Sequence, residues 1–133
     1  MIAEDLSDYL VANGGYVDGT NLFRYGTPEH PANVIVVSPA GGFQPIHTMS
    51  PTAGSSKTVE QPIVQIKVRN EKSTDCATVA NTVFKLLDGL PETTINGTRY
   101  LGMQALASPQ LMGRDDNGWV TLAFNVAVMK ALS

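Results

Sequence analysis

Hydrophobic residues recur along the chain with two different periods, and these periods predict its helices and strands. The first segment has apolar side chains on one face of a 3.6-residue period: Ile2, Leu6, Tyr9 and Leu10. Glu4 and Asp5 fall in its first turn, where negative charge suits the helix dipole. Asn-Gly-Gly at residues 13–15 predicts the end of this helix, because glycine tolerates the left-handed conformation found there.

A second helix is predicted in the middle of the chain. Ser-Thr-Asp at residues 73–75 supplies candidates for its N-cap. The apolar stripe that follows has small residues first and larger ones later: Ala77, Ala80, Val83, Phe84 and Leu87. Small residues allow this part of the helix to lie close to a sheet. Gly89 and Pro91 predict its end.

Five segments have the composition or the period-2 alternation of β-strands. They are residues 21–25, 33–38, 63–69, 98–107 and 119–130. The last has the strongest alternation, with one side formed by Val120, Leu122, Phe124, Val126 and Val128. We therefore expect it to be a core strand. Asn96-Gly97 is a hairpin-turn signal, and Asp115-Asp116-Asn117-Gly118 is a second turn.

Between residues 39 and 62 neither period is present. The segment is rich in glycine, serine and proline, so it is predicted to be a long loop. Loops of this length are unusual inside a compact domain and are either functional or disordered. Both interpretations stay open: an arm that becomes ordered on a partner, or simple disorder.

These elements predict one α+β domain over residues 1–133. We expect an antiparallel or mixed sheet of about five strands with two helices packed on one face, plus the long loop at residues 39–62. The other face of the sheet then needs a cover, and a second subunit is the simplest one.

Composition narrows the classes of function. Charged residues make up 16% of the 133 residues, against roughly 25% in typical globular proteins. The net charge is −3, and the nine Lys and Arg residues are scattered along the chain. Both features argue against a protein that binds nucleic acid through its phosphates. No apolar stretch approaches the ~20 residues of a membrane span.

The sequence offers no set of residues with the spacing of a catalytic or metal site. The two histidines, His30 and His47, stand in proline-rich segments without further ligands at matched spacing. The single cysteine, Cys76, is predicted to be buried on the second helix. Pro51 and Ser56 stand where a phosphate-binding loop that ends in Lys57-Thr58 would need its two glycines. Residues 115–118 lack the closing Glu of a calcium loop. We therefore expect no enzyme, no metal and no cofactor.

Three stretches resemble the minor capsid and tail terminator proteins of long-tailed bacteriophages. They are Pro-Ile-Val-Gln-Ile-Lys-Val-Arg-Asn at residues 62–70, Gly-Thr-Arg-Tyr-Leu-Gly-Met-Gln-Ala-Leu-Ala-Ser-Pro at residues 97–109, and Leu-Met-Gly-Arg-Asp-Asp-Asn-Gly at residues 111–118. The last of these leads into the apolar strand through Phe-Asn-Val at residues 124–126. Residues 39–62 have no counterpart in the pattern.

The resemblance implies a structural virion protein made in the host cytoplasm and located at the head–tail junction. Six copies would form a homohexameric ring on the tail tube protein, stop tube growth and present a surface to a head-completion or stopper protein. DNA would pass through the ring without specific binding. Two other interpretations stay open: a different head–tail connector component, such as a stopper or adaptor, and a small dimeric ligand-binding α+β domain.

Candidate contact residues follow from the predicted elements. In the long loop, apolar side chains without an obvious core position are Phe43, Ile46 and Met49. The polar side of the strand at residues 63–69 presents Gln65, Lys67 and Arg69. Leu111 and Met112 precede the second turn. We expect the segment at residues 39–62 to be the first contact with a neighbour.

Overall fold

The computed structural model describes residues 2–17, 19–26, 32–47, 58–114 and 118–132. It contains two helices, α1 (Ile2–Gly14) and α2 (Ser73–Leu87). Its strands are β1 (Leu22–Arg24), β2 (Val34–His47), β3 (Thr58–Asn70), β4 (Thr93–Ile95), β5 (Thr98–Ala105), β6 (Gln110–Arg114) and β7 (Val120–Leu132). The predicted α+β class and both predicted helices are confirmed.

The described strands form one mixed sheet in the order β1-β2-β3-β7-β5-β4, and β6 also pairs with β7. Only the pairing of β1 with β2 is parallel. Strand β7 lies at the centre, because β3 runs along one of its edges while β5 and β6 share the other. The expectation of about five strands was too low, since the sheet has seven.

Both helices pack on the same face of the sheet, which we call the inner face. The strand register brings Val37, Ile66 and Phe124 into one row across β2, β3 and β7. Leu6 and Leu10 of α1, and Ala80, Val83 and Leu87 of α2, are fully buried in the same hydrophobic cluster. Full burial of an aliphatic side chain stabilises a fold by roughly 1.5–3 kcal/mol, so this layer is the main source of stability.

The predicted loop at residues 39–62 is wrong at both of its ends. Strand β2 continues to His47 and β3 begins at Thr58, so residues 39–47 and 58–62 are paired strands, which we call the arm. Residues 48–57 lie outside the described part of the chain. The far end of β3 also pairs with β7, from Thr58 with Leu132 to Glu60 with Lys130.

Prolines and glycines are tolerated in the arm because β2 is an edge strand there. Strand β1 accompanies β2 only as far as Val37, so among the described residues no strand covers the outer edge of residues 38–47. A proline on an open edge removes no ladder hydrogen bond. Two register shifts, after Pro39 and after Phe43, accommodate extra residues as bulges.

The two short strands missing from the sequence prediction lie beside strands that were predicted. Strand β4 has three residues and pairs with β5 through the Asn96-Gly97 turn. Strand β6 has five residues, includes Gly113 at φ 120°, and pairs with β7 through a bulge. Segments this short show no clear period, so only pairing with a longer strand makes them recognisable.

Candidate assembly surface

The face of the sheet opposite the helices, the outer face, has few charges. Residues that alternate with the core positions of β3, β7 and β5 form it: Gln61, Ile63, Gln65, Gln104, Asn125, Ala127 and Met129. In β3, Val64 and Ile66 are fully buried on the inner face, whereas Ile63 and Gln65 are half-buried. No described helix covers this part of the sheet, so its side chains are available for contact with another chain.

A groove of about 630 Å³ crosses the outer face from β3 to the segment that follows α2. It is lined by Gln61, Asp88, Gly89, Leu90, Gly102, Met103, Gln104, Leu106, Ala127, Val128 and Met129. Asp88 is the one charged residue in this lining. Its Oδ1 accepts the backbone N–H of Ala105 at 2.9 Å, which fixes the end of α2 against β5. The groove therefore offers neutral surface and no pair of titratable groups for acid–base chemistry.

Three large apolar side chains with at least half of their surface exposed lie in β6 or in the segment that precedes it. Leu111 is 66% exposed, Met112 59% and Leu106 50%. We call these three residues the β6 patch. Leu106 and Met112 line a second, smaller groove of about 140 Å³, and Leu106 also belongs to the larger one. Leu111 pairs with Leu122, an inner-face position, so the three residues border both faces of this edge. Exposed apolar side chains at a sheet edge are typical of an interaction site.

The three polar residues predicted on β3 do not share one environment. Gln65 and Lys67 are half-buried on the outer face, beside Asn125 and Ala123 of β7. Arg69 is only 8% exposed, so it offers less surface to a neighbouring chain than the half-buried Gln65 and Lys67. Its Nε donates to the carbonyl oxygen of Ala32 at 3.1 Å, and its guanidinium carbon lies 4.9 Å from the centre of the Trp119 ring.

The contacts of Arg69 explain why the alternation of β3 does not predict the burial of this side chain. The strand does alternate as expected, but the carbonyl oxygen of Ala32 accepts a hydrogen bond from Arg69 at this end of the outer face. A planar guanidinium can donate to a carbonyl and stack on an indole at the same time. Arg69 therefore holds the segment before β2 against β3, and it is not a free contact residue.

The predicted contact residues of the arm fall into two groups. Phe43 pairs with Gln61 and Ile46 with Val59 in the β2–β3 ladder, so their backbones are part of the sheet. Met49 lies outside the described residues. Leu111 and Met112 are exposed, and they belong to the β6 patch at the opposite border of the sheet.

Sequence reasoning missed a polar network that ties α1 to the β4–β5 hairpin. Asp5, only 4% exposed, accepts hydrogen bonds from the Tyr100 hydroxyl and from Asn96 Nδ2, the latter at 3.0 Å. Asn96 also donates to Asp8, and Arg24 of β1 donates to Asp8 at 3.0 Å. The sequence predicts Asp5 only as an acidic residue in the first turn of a helix. No local pattern in the sequence links it to Asn96, which is 91 positions away.

The environment of Tyr100 indicates a structural role for this network. Burial, first, and then the hydrogen bond to the Asp5 carboxylate raise the pKa of Tyr100 well above its ordinary value. The phenol therefore stays protonated and donates to Asp5 across the physiological range. A hydroxyl held in this way positions α1 and does not serve as an acid or base near neutral pH.

The remaining candidates for chemistry have structural partners. The thiol of Cys76 is buried and donates to the carbonyl oxygen of Val68 at 3.2 Å. Desolvation raises the pKa of Cys76, which keeps it in the unreactive thiol form. Within the described ranges, no group of three or more His, Cys, Asp or Glu side chains is placed to hold a metal ion. Neither described helix combines the length and the apolar character that crossing a bilayer requires.

Comparison with known proteins provides evidence on the family and the fold of the chain. A family model described as "Bacteriophage tail terminator protein" matches residues 9–130. A chain in the solved virion of a native gene transfer agent particle has a similar fold, with a TM-score of 0.58 and 9% identity. That alignment covers 98% of this chain and 95% of the other.

A second solved structure supports the same fold. It aligns with a TM-score of 0.52 and 15% identity, over 96% of this chain and 89% of its own. At these identities the likeness concerns the fold alone. Comparison with curated proteins gives no match.

Proposed function

Because the chain belongs to the bacteriophage tail terminator family, we propose that it forms a ring that ends the tail tube and joins it to the head connector. Family membership makes it a structural protein of the phage tail. The ring, its six-fold symmetry, its position at the head–tail junction and its partners are the parts that we propose.

The observation that carries the proposal is the uncovered outer face. A sheet face with apolar and amide side chains, crossed by a groove of about 630 Å³, has no cover from the described part of its own chain. Burial of such a surface against other subunits gains free energy without the cost of desolvating charges. A structural subunit that works by assembly requires this kind of surface.

Ring formation requires a particular kind of contact. Identical subunits close into a ring when one surface of each copy binds a different surface of the next copy. The arm at one border of the sheet and the β6 patch at the other are two such different surfaces. Six copies joined in this way would have a channel for DNA, and the net charge of −3 is compatible with passage of DNA without tight binding.

The partners follow from the position of the ring. One side would bind the last ring of the tail tube protein, and the other a head-completion or stopper protein. In this role the chain has no catalytic task and needs no cofactor. The stopper or adaptor function remains the second possibility, and the two differ in whether the protein arrests growth of the tube.

The first test is the mass of the purified protein in solution, alone and with polymerising tail tube protein. We expect a hexamer, or a monomer that becomes a ring on the tube, together with tubes of arrested length in electron micrographs. A protein that remains monomeric or dimeric and leaves tube length unchanged would contradict the terminator function. Binding to the head connector without arrest of the tube would favour a stopper or adaptor.

A further inference from the structure

The arm and the β6 patch lie on opposite sides of the central strand of one sheet. The arm belongs to β2 and β3, which lie on one side of the central strand β7. The β6 patch lies on the other side, because β6 pairs with the far edge of β7. The sheet order places β3 and β7 between β2 and β6, so the arm strand and the patch strand are not neighbours in one copy.

The arm and the patch match in polarity. Residues 39–47 contain no Asp, Glu, Lys or Arg, and neither do residues 100–113. In the returning strand of the arm, Glu60 is the one charged residue, and its carboxylate lies 3.9 Å from Lys130 Nζ. Two uncharged surfaces can be buried against each other without leaving an unpaired charge, whereas a charged partner would lose hydration on either one.

At two edges of the sheet the backbone is poorly suited to pairing with a further strand. Strand β1 is blocked by its own turn, since the Leu22 N–H donates to the Val17 carbonyl and the Leu22 carbonyl accepts the Gly19 N–H. Pro39 and Pro45 interrupt the row of donors along the arm. Simple addition of a strand is therefore disfavoured at both places.

From these observations we propose that the arm of one copy docks on the β6 patch of the next copy. The contact is heterologous, because it joins two different regions, and its repetition closes a ring. Nine strand residues span about 30 Å, so residues 39–47 present a sheet edge of that length to a neighbouring subunit. The inference rests on the proposed ring and adds which two surfaces meet in it.

Two sets of substitutions disrupt the two sides of the proposed contact one at a time. A patch variant carries Leu111→Asp and Met112→Asp, and an arm variant carries Phe43→Asp and Ile46→Asp. Val17→Asp is the matched control, because Val17 is also an exposed apolar residue (54%) but lies outside both regions. Circular dichroism and thermal unfolding show whether each variant is folded. If a double variant does not fold, Gln110→Asp replaces the patch variant and Gln44→Asp the arm variant.

The decisive experiment mixes the two variants and measures mass by analytical ultracentrifugation. We expect each variant alone to self-associate roughly 30-fold more weakly than wild type or worse, as for the loss of central interface residues. The mixture should form a 1:1 heterodimer and nothing larger, because it contains one intact arm and one intact patch per pair. If wild type assembles only on tubes, cross-linking on the tubes provides the same measurement.

Two results would overturn this inference while leaving the terminator function intact. One is wild-type arrest of tubes together with a mixture that forms no heterodimer, which would mean that arm and patch do not meet. The other is normal assembly of either variant alone, which would mean that the substituted region binds the tube or connector protein and not a second copy of the chain. If wild type neither self-associates nor arrests tubes, the terminator function fails as well.

Discussion

Gly42 lies where the backbone of β2 comes close to that of β3. A Cβ atom added there would stand 2.7 Å from the carbonyl oxygen of Gln61 and 2.9 Å from the Cα of Pro62. Both obstacles are backbone atoms, so no side-chain rotation can relieve the clash. The glycine that looked like a loop residue is therefore required by strand pairing in the arm.

Gly42→Ala should lower the free energy of unfolding by about 1–3 kcal/mol, the usual cost of forcing extra volume into a tight contact. Chemical denaturation with both variants measures it. Gly26→Ala is the matched control, since an added Cβ there meets nothing within 4 Å, and it should change stability by less than about 0.5 kcal/mol. Equal stabilities for the two variants would mean that the arm is not paired as described.

Tyr100→Phe tests the buried hydroxyl and its pH dependence. Removing the hydroxyl leaves the Asp5 carboxylate with one donor fewer, so we expect a loss of about 1–3 kcal/mol at pH 7. The raised pKa of Tyr100 means that its contribution is complete below the ordinary value of 10.0 and declines as the pH rises above that value.

The difference in unfolding free energy between wild type and Tyr100→Phe should therefore shrink as the pH rises above about 10. Urea denaturation at pH 7 and at several values above 10 measures this difference. A difference that stays constant or grows with pH would contradict the assigned hydrogen bond.

At the scale of elements, long periodic segments could be predicted and paired edges could not. The helix at residues 73–87 and the strand β7 follow from one apolar stripe and one alternation, because each buries a face in a single layer. The arm was missed because its bulges, prolines and glycines are tolerated only through pairing with β3. The same limit applies to Arg69, whose burial depends on a carbonyl 37 residues away.

The candidate surface was predictable only in part. The sequence identified Leu111 and Met112 as apolar residues near a turn, and it predicted that one sheet face lacks a cover. It could not show that Leu106 and Met112 line one groove or that a larger groove crosses β3, β7 and β5. These features depend on strand order, which brings together segments that are far apart in the chain.

The β4–β5 turn combines backbone and side-chain requirements in one residue. Asn96 has φ 51° and donates from Nδ2 to both Asp5 and Asp8. Asn96→Gly keeps the turn but removes both hydrogen bonds, so it should cost about 1–3 kcal/mol. Asn96→Ala should cost about 1 kcal/mol more, because alanine resists a positive φ.

Thermal and chemical unfolding of both Asn96 variants separate the two effects. If Asn96→Gly were as stable as wild type, the hydrogen bonds between α1 and the hairpin would contribute nothing to the free energy of unfolding. If the alanine variant were no worse than the glycine variant, the left-handed turn would not be required.

At the scale of the whole molecule, the distribution of charge is the feature that bears on assembly. None of the residues in the described ion pairs lines the outer-face groove: these pairs are Arg24 with Asp8, Arg99 with Glu92 and Lys130 with Glu60. The groove and the β6 patch are almost free of charge. Contacts built from such surfaces gain their free energy from apolar burial, which salt does not screen.

Self-association of the wild-type protein should therefore depend little on ionic strength. Between about 50 and 500 mM sodium chloride the Debye length falls from roughly 14 to 4 Å, so contacts between exposed charges would weaken strongly over this range. We expect the dissociation constant to change less than about three-fold, as measured by analytical ultracentrifugation. Lys67→Gln is the companion variant, because Lys67 is a half-buried charge on the outer face. A ten-fold weakening by salt that Lys67→Gln abolishes would show an ionic contact at this residue and would contradict assembly through neutral surfaces.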